Sequence, residues 1–195
     1  SSLEEFLHIA KEDFHEAYRI FTERHFSLIL SDQSEKIRSL YAGMSQQPVT
    51  YQHLEEFLIA AGAKEKVTLS LNREEASFYD VSESVQESLY IHRSGWGHLR
   101  ADIEVNGDFL EAGKHVVTEE DFIGSTCEIN YVIRQEKLGK GNQYGEIIVK
   151  TPYQKLVYHV LASRGTESAV NLDLLEKQYR ISLMKEYLGN LCKRT

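Results

Sequence analysis

The first third of the chain carries apolar residues at the spacing of amphipathic helices. They recur every three or four residues, which places them on one helical face. In the first helix these positions are Phe6, Ala10, Phe14, Ala17, Tyr18 and Phe21. A second helix is predicted over residues 35–44. After Pro48, Thr50 is a candidate N-cap for a third helix that ends near Gly62. We therefore predict a helical subdomain over residues 1–65.

From Val67 onward the apolar period changes to two, the period of strands with one buried face. The alternating positions are Leu89 and Ile91; Leu99, Ala101, Ile103 and Val105; Cys127, Ile129, Tyr131 and Ile133; Ile147 and Val149; and Leu156, Tyr158 and Val160. Turn-forming sequences separate these stretches at residues 94–97, 106–108, 139–142 and 151–152. This spacing predicts an immunoglobulin-like antiparallel β-sandwich over residues 66–163, with a β-barrel as the alternative.

A helical period returns in residues 164–195, with Asn171 as a candidate N-cap. One stripe contains Leu172, Leu175, Tyr179, Leu183 and Tyr187, and a second contains Leu174, Ile181, Met184, Leu188 and Leu191. A helix with so much apolar surface normally packs on two sides. The favoured interpretation is that one stripe covers the sandwich or the N-terminal helices of the same chain. The alternative is that the helix begins a helical array or forms a dimer. The predicted fold class is α+β: an N-terminal helical subdomain, the sandwich and a C-terminal helix.

The composition of the chain bears on its partners, on membrane insertion and on its compartment. Acidic residues outnumber basic ones by 30 to 22, and the net charge of −8 argues against nucleic-acid binding and against anionic lipid surfaces. No apolar run approaches the roughly 20 residues of a membrane-spanning helix, so no membrane insertion is expected. Cys127 lies in a predicted strand and Cys192 in a predicted helix, and we expect no disulfide between them. Two free thiols favour the cytoplasm. A cell-surface location is the alternative if a parent protein carries a signal peptide.

Motifs for catalysis or cofactor binding are weak in this sequence. Gly139, Gly141 and Gly145 resemble a phosphate-binding loop, but a strand rather than a helix is predicted to follow, so we interpret the loop as a hairpin turn. His92 and His98 flank a turn without a recognised metal-ligand spacing. We predict no catalytic residue, no cofactor site and no metal ligand, and hence no enzymatic activity.

Trp96 is the most distinctive residue of the predicted sandwich, since it lies between Gly95 and Gly97. Its ring can pack over the sandwich edge or stand exposed as a platform for a sugar or a partner side chain. The packed role is favoured. If the turn binds a partner, the predicted binding patch is Trp96, His98 and Arg100.

Several segments resemble a family of large bacterial multidomain proteins of unknown function, in which immunoglobulin-like domains are followed by helical regions. The resembling segments are Ser-Gly-Trp-Gly-His-Leu at residues 94–99, Asp-Phe-Leu at 108–110, Glu-Asp-Phe-Ile-Gly at 120–124, the strand pair at 138–149, and the helix at 54–58. The resemblance implies a structural or interaction role, and it implies no active site.

The function predicted from sequence is that of a non-enzymatic structural or protein-interaction module, as a fragment of a larger bacterial protein. Its expected partners are another protein, neighbouring domains of the same chain, or a second copy through the C-terminal helix. One alternative is a carbohydrate-binding module that uses Trp96, Tyr144 and Tyr153 as stacking platforms. Another is a regulatory or docking segment of an enzyme whose catalytic domain lies outside these residues.

Overall fold

The computed structural model describes residues 2–165 and 172–193, with the main chain only for residues 172–175. Within these residues the chain forms six α-helices and nine β-strands. The helices are α1 (Ser2–Glu12), α2 (Phe14–Phe21), α3 (Phe26–Ile29), α4 (Glu35–Ser45), α5 (Tyr51–Ala60) and α6 (Leu172–Cys192). The strands are β1 (Thr68–Leu71), β2 (Glu75–Val81), β3 (Val85–Ser94), β4 (Arg100–Asn106), β5 (Leu110–Ala112), β6 (Val116–Thr118), β7 (Thr126–Ile133), β8 (Asn142–Lys150) and β9 (Lys155–Arg164).

Side-chain caps set the boundaries of the N-terminal helices. The Asp13 carboxylate accepts a hydrogen bond from the Glu16 N–H at 3.0 Å, so the first predicted helix is divided into α1 and α2. At the start of α5, Thr50 Oγ1 accepts from the His53 N–H at 3.2 Å, and the Thr50 N–H donates to His53 Nδ1 at 3.1 Å. These reciprocal bonds form a capping box and confirm Thr50 as the predicted cap.

The strands form two sheets that make a sandwich-like β domain. One sheet has the order β1-β3-β7-β5, and the other has the order β2-β9-β8-β4-β6. The predicted α+β class, with N-terminal helices, a sandwich and a C-terminal helix, is confirmed. One pair departs from the antiparallel prediction, because β2 runs parallel to β9. The register shifts between Phe78 and Val81, where Asp80 has a φ of 54°, and this irregularity breaks the period-two pattern of β2.

The glycine-rich loop at residues 139–142 is not a hairpin turn, which corrects the sequence prediction. It connects β7 to β8, which belong to different sheets. Both sides of β7 are already hydrogen-bonded, to β3 and to β5, so β8 pairs with β9 and β4 instead. Gly145, the last glycine of the motif, is a residue of β8 and not of the loop.

The chain divides into two compact units that interleave along the sequence. One unit contains Ser1–Ser70, His92–Ala101 and Val117–Cys127, and the other contains Leu71–Ile91, Asp102–Val116 and Glu128–Thr195. The first unit has an aromatic core: Phe6, Phe21, Phe26 and Phe57 are at most 2% exposed. The predicted domain boundaries at residues 65 and 163 stay a prediction.

A pair of buried tyrosines lies in the core of the second unit. Tyr131 on β7 and Tyr158 on β9 are both fully buried, and their hydroxyl oxygens are 2.9 Å apart. Burial raises the pKa of Tyr131 far above its usual range, and the hydrogen bond with Tyr158 adds to the rise. The folded protein therefore keeps Tyr131 protonated at a pH where the unfolded chain loses that proton.

We expect this pKa difference to destabilise the protein in alkali. Its stabilising contribution is complete below the unfolded pKa of about 10 and falls above it by about 1.4 kcal/mol per pH unit. Urea unfolding measured between pH 9 and 11.5 tests this. Tyr131→Phe should reduce the slope by that amount. Equal slopes in the wild type and Tyr131→Phe would contradict the prediction.

Candidate functional site

Trp96 lies in a tight turn between β3 and β4. Gly95 and Gly97 have φ values of 87° and 105°, in the left-handed region that favours glycine. The Trp96 side chain is partly buried and packs against the hydrophobic core of the N-terminal helices. Trp96 is therefore packed, as favoured, but on the N-terminal helices rather than over the sandwich edge.

A buried ion pair lies beneath this turn. Lys64 Nζ donates to Glu55 Oε1, and the two side chains are 1% and 2% exposed. Lys64 Nζ is 5.0 Å from the centroid of the Trp96 ring, which is cation–π distance. Glu55 Oε2 accepts from the His98 N–H at 3.2 Å, so α5 and the turn are joined through one carboxylate. Burial lowers the pKa of Lys64, while Glu55 opposes that change.

The His98 ring lies among aromatic side chains. Its centroid is 5.6 Å from that of Tyr51 and 6.2 Å from that of Phe14, and the ring planes are tilted by 18° and 17°. His98 Nδ1 is buried, lies 3.9 Å from Glu119 Oε2, and has no hydrogen-bond partner among the described residues. Burial raises the pKa of Glu119, but His98 and the Leu99 N–H outweigh it and lower the pKa overall. The ring of His98 is thus engaged in packing.

A cavity of about 530 Å³ lies beside Trp96 and contains charges of both signs. It is lined by Arg93, Trp96, Glu119, Phe122, Lys11 and Glu12, among others. The Arg93 guanidinium is centred 5.6 Å from the Phe122 ring, and its Nη2 donates to the Gly97 carbonyl at 3.3 Å. Its Nε is buried without a hydrogen-bond partner among the described residues, and burial lowers the pKa of Arg93. Arg93 is therefore held against the wall of the cavity by Phe122 and Gly97.

The structure brings together only part of the predicted patch. Trp96 and His98 meet at the Lys64–Glu55 ion pair, Trp96 against Lys64 and His98 through its N–H to Glu55, whereas Arg100 is exposed at the first position of β4. The patch as a binding site stays a prediction. Sequence reasoning missed Glu55 and Lys64 as a pair. The burial of Glu55 could have been suspected from its position beside the apolar residues of α5.

The two faces of α6 differ sharply in exposure. Tyr179 is 3% exposed and stacks on Tyr144 of β8, with ring centroids 5.6 Å apart and planes 21° apart. The opposite face carries Ile181, Met184, Leu188 and Leu191, which are 54%, 63%, 53% and 42% exposed and which we call the α6 seam. Tyr187, which the sequence places on the same stripe as Tyr179, is 64% exposed. The candidate cap Asn171 and the side chains of Leu172, Leu174 and Leu175 lie outside the described residues.

Residues 1–195 match a family described as the N-terminal part of DUF5717, a family of unknown function. The chain belongs to the DUF5717 family. This confirms the prediction of an uncharacterised family at that coarse level. The comparison with curated proteins finds no significantly similar sequence. Among the described helices of this DUF5717 chain, none combines the length and hydrophobicity needed to cross a membrane.

Several solved structures resemble about half of the DUF5717 chain. A PapD-like domain of human CEP192 matches with a TM-score of 0.40 and 9% identity, over 51% of this chain and 86% of that one. A FixG-related protein from Vibrio parahaemolyticus matches with a TM-score of 0.37 and 12% identity, over 52% and 99%. A family 123 glycoside hydrolase from Clostridium perfringens gives a TM-score of 0.37 and 6% identity, over 51% and 27%. These likenesses assign no function to the chain.

Proposed function

We propose that the chain is a non-enzymatic protein-interaction module of a larger, cytoplasmic bacterial protein and that it docks an amphipathic helix on the α6 seam. The observation that supports this proposal is the seam itself. Its four residues are 42–63% exposed on a helix whose opposite face is held by Tyr179. Contiguous exposed apolar surface of this kind commonly marks an interaction site.

The spacing of the seam favours a helical partner. Successive members lie three, four and three residues apart, from Ile181 to Leu191. This is the alternation of the apolar positions in a coiled-coil heptad, so the seam runs along one side of α6. A partner helix with the same repeat can insert its own apolar side chains between these residues.

Charges beside the seam favour an acidic partner. Arg180 and Lys185 occupy the flanking positions that form interhelical ion pairs in a coiled coil. Arg180 also donates to Glu176 on its own helix at 2.7 Å. In a parallel pair of two copies, Arg180 of one helix would face Lys185 of the other, which is repulsive. A partner with glutamates at its flanking positions removes this repulsion and adds complementary charge.

The test uses designed helical peptides as probes. Two four-heptad peptides with the same apolar residues carry either Glu or Lys at the flanking positions, and fluorescence anisotropy measures their binding to the full chain. We expect the Glu peptide to bind at least 10-fold more tightly than the Lys peptide. Leu188→Glu should weaken binding of the Glu peptide at least 10-fold, because it places a charge in the apolar contact.

Asn190→Glu is the matched control, since it adds the same charge to an exposed α6 position outside the seam. It should leave binding unchanged. Equal binding by the Leu188→Glu variant, or no binding of either peptide, would overturn the proposed docking site. Sedimentation of the unliganded chain provides a separate check: self-association that Leu188→Glu abolishes would replace the acidic partner by a second copy.

The carbohydrate-binding alternative has less support. Trp96 is partly buried, with the Lys64 ammonium over its ring. The Tyr144 ring is stacked on Tyr179. Both rings therefore have a face in use, and no observation on the described residues favours a sugar over a protein partner.

A further inference from the structure

Three metal-binding residue types meet where α6 contacts the five-stranded sheet. Glu146 of β8 and His159 of β9 are directly opposite each other in the antiparallel register. Glu186 of α6 approaches them, and its Oε2 is 3.9 Å from His159 Nδ1. One potential ligand atom from each residue lies within 4.8 Å of those of the other two. Two strands and a helix thus bring one imidazole nitrogen and two carboxylate oxygens together.

A cavity beside the cluster has room for an ion and its water ligands. The three residues line a cavity of about 230 Å³ together with Tyr179. Tyr179 is 3% exposed, and its buried hydroxyl has no hydrogen-bond partner among the described residues. Tyr179 therefore forms a closed wall of the cavity, which leaves Glu146, His159 and Glu186 as its candidate ligands.

A second residue already orients one of the carboxylates. Asn106 Nδ2 donates to Glu146 Oε1 at 2.8 Å, which leaves Oε2 as the other acceptor atom. Metal-binding carboxylates are commonly oriented by such a hydrogen bond from a neighbouring residue. Glu146 is therefore held in position on the sheet, whereas the half-exposed side chain of Glu186 on α6 can change its conformation.

We propose that Glu146, His159 and Glu186 bind a divalent transition-metal cation of the zinc class. A mixed set of one imidazole and two carboxylates suits Zn²⁺, whereas Mg²⁺ and Ca²⁺ prefer oxygen ligands throughout. Zinc bonds of about 2.0–2.2 Å require the donor atoms to move inward by about 1 Å from their present separation. The long Glu186 side chain, which is 50% exposed, makes this movement feasible.

Metal binding at this position would fasten α6 to the sheet. Among the described side chains of α6 from residue 176 onward, only those of Glu176, Tyr179 and Leu183 are not exposed. A bond from Glu186 through the cation to β8 and β9 adds a second attachment, one turn beyond Leu183. This site lies on the helix face opposite the α6 seam, so it does not depend on the proposed docking function.

The test is calorimetric titration of the full chain with zinc chloride. We expect one zinc ion per chain, and at least 10-fold weaker binding in both His159→Ala and Glu186→Gln. Glu176→Gln and His92→Ala are matched controls, because they remove a glutamate from the same helix and a histidine from another part of the chain. They should bind zinc like the wild type. Magnesium chloride at the same concentration should give no saturable binding.

Amide hydrogen exchange provides a readout of the attachment. Zinc should slow exchange in α6 of the wild type and leave exchange in α6 of Glu186→Gln unchanged. Glu186→Gln replaces a half-exposed side chain, so it tests the site even if His159→Ala fails to fold. Zinc binding that persists in Glu186→Gln, or an absence of zinc binding to the wild type at 100-fold molar excess, would overturn the proposed metal site.

Discussion

Replacement of Glu55 by glutamine should lower the free energy of unfolding by about 3–5 kcal/mol. The reason is the isolation of Lys64, whose side chain is 1% exposed and whose Nζ donates to the Glu55 carboxylate. Glutamine keeps the shape of Glu55 and an acceptor for the His98 N–H, but it removes the negative charge. A buried ammonium group then remains without its counter-ion, which is one of the most costly states of a protein interior.

Chemical denaturation monitored by circular dichroism measures this loss. Glu56→Gln is the matched control, because it makes the same substitution at the next position of α5, where the side chain is exposed. It should change stability by less than about 0.5 kcal/mol. The double variant Glu55→Gln with Lys64→Met should regain most of the stability, because it removes both charges and keeps an acceptor for the His98 N–H. A loss of less than 1 kcal/mol in Glu55→Gln would show that the pair is not a buried charge pair in solution.

Gly97→Ala should destabilise the protein by about 3 kcal/mol, from two sources. The φ of 105° at Gly97 is rarely adopted by residues with a Cβ. An added Cβ would also lie 2.5 Å from Lys64 Nζ and 2.7 Å from Glu55 Oε2. Because the ion pair is enclosed, its atoms can move away only by giving up their own contacts. Trp96 should become more exposed, and its fluorescence emission should shift to longer wavelength.

Gly62→Ala separates the two sources of this cost. Gly62 also has a positive φ, of 75°, but no atom of the described residues lies within 4 Å of the position that its Cβ would occupy. Its substitution should cost about 1 kcal/mol, through backbone strain alone. Equal losses of stability for Gly62→Ala and Gly97→Ala would contradict the close approach of the turn to the ion pair. Thermal and denaturant unfolding of the two variants in parallel decide between these outcomes.

The elements that could be predicted are those whose signal is local. The Thr50 cap, the helix at 35–44 and the alternation in β7 are all properties of neighbouring residues, and the structure confirms each. The apolar spacing of α1 continues into α2, so it did not reveal the helix cap at Asp13 between them. The irregularity at Asp80 interrupts the alternation in β2, so this strand was not recognised. In both cases a single residue interrupts a periodic pattern through its backbone conformation or its side-chain hydrogen bond.

Most residues of the candidate sites, in contrast, could not be predicted from the sequence. Trp96 stands out in the sequence because of its two glycine neighbours, but Glu55 and Lys64 resemble ordinary surface residues until α5 and the turn come together. Glu146 and Glu186 are likewise unremarkable as sequence positions. They are 40 residues apart, and only the pairing of β8 with β9 and the placement of α6 bring them to His159.

The sequence by itself determined the order of the main regions, helices first, then strands, then a helix, because helix and strand periods depend on the solvent exposure of neighbouring residues. It also determined that the C-terminal helix has two apolar stripes. Only the tertiary structure decided that Tyr179 is buried while the α6 seam is exposed. It likewise decided which charges are buried in pairs, because burial and long-range contacts depend on how distant segments pack, and no local pattern records that packing.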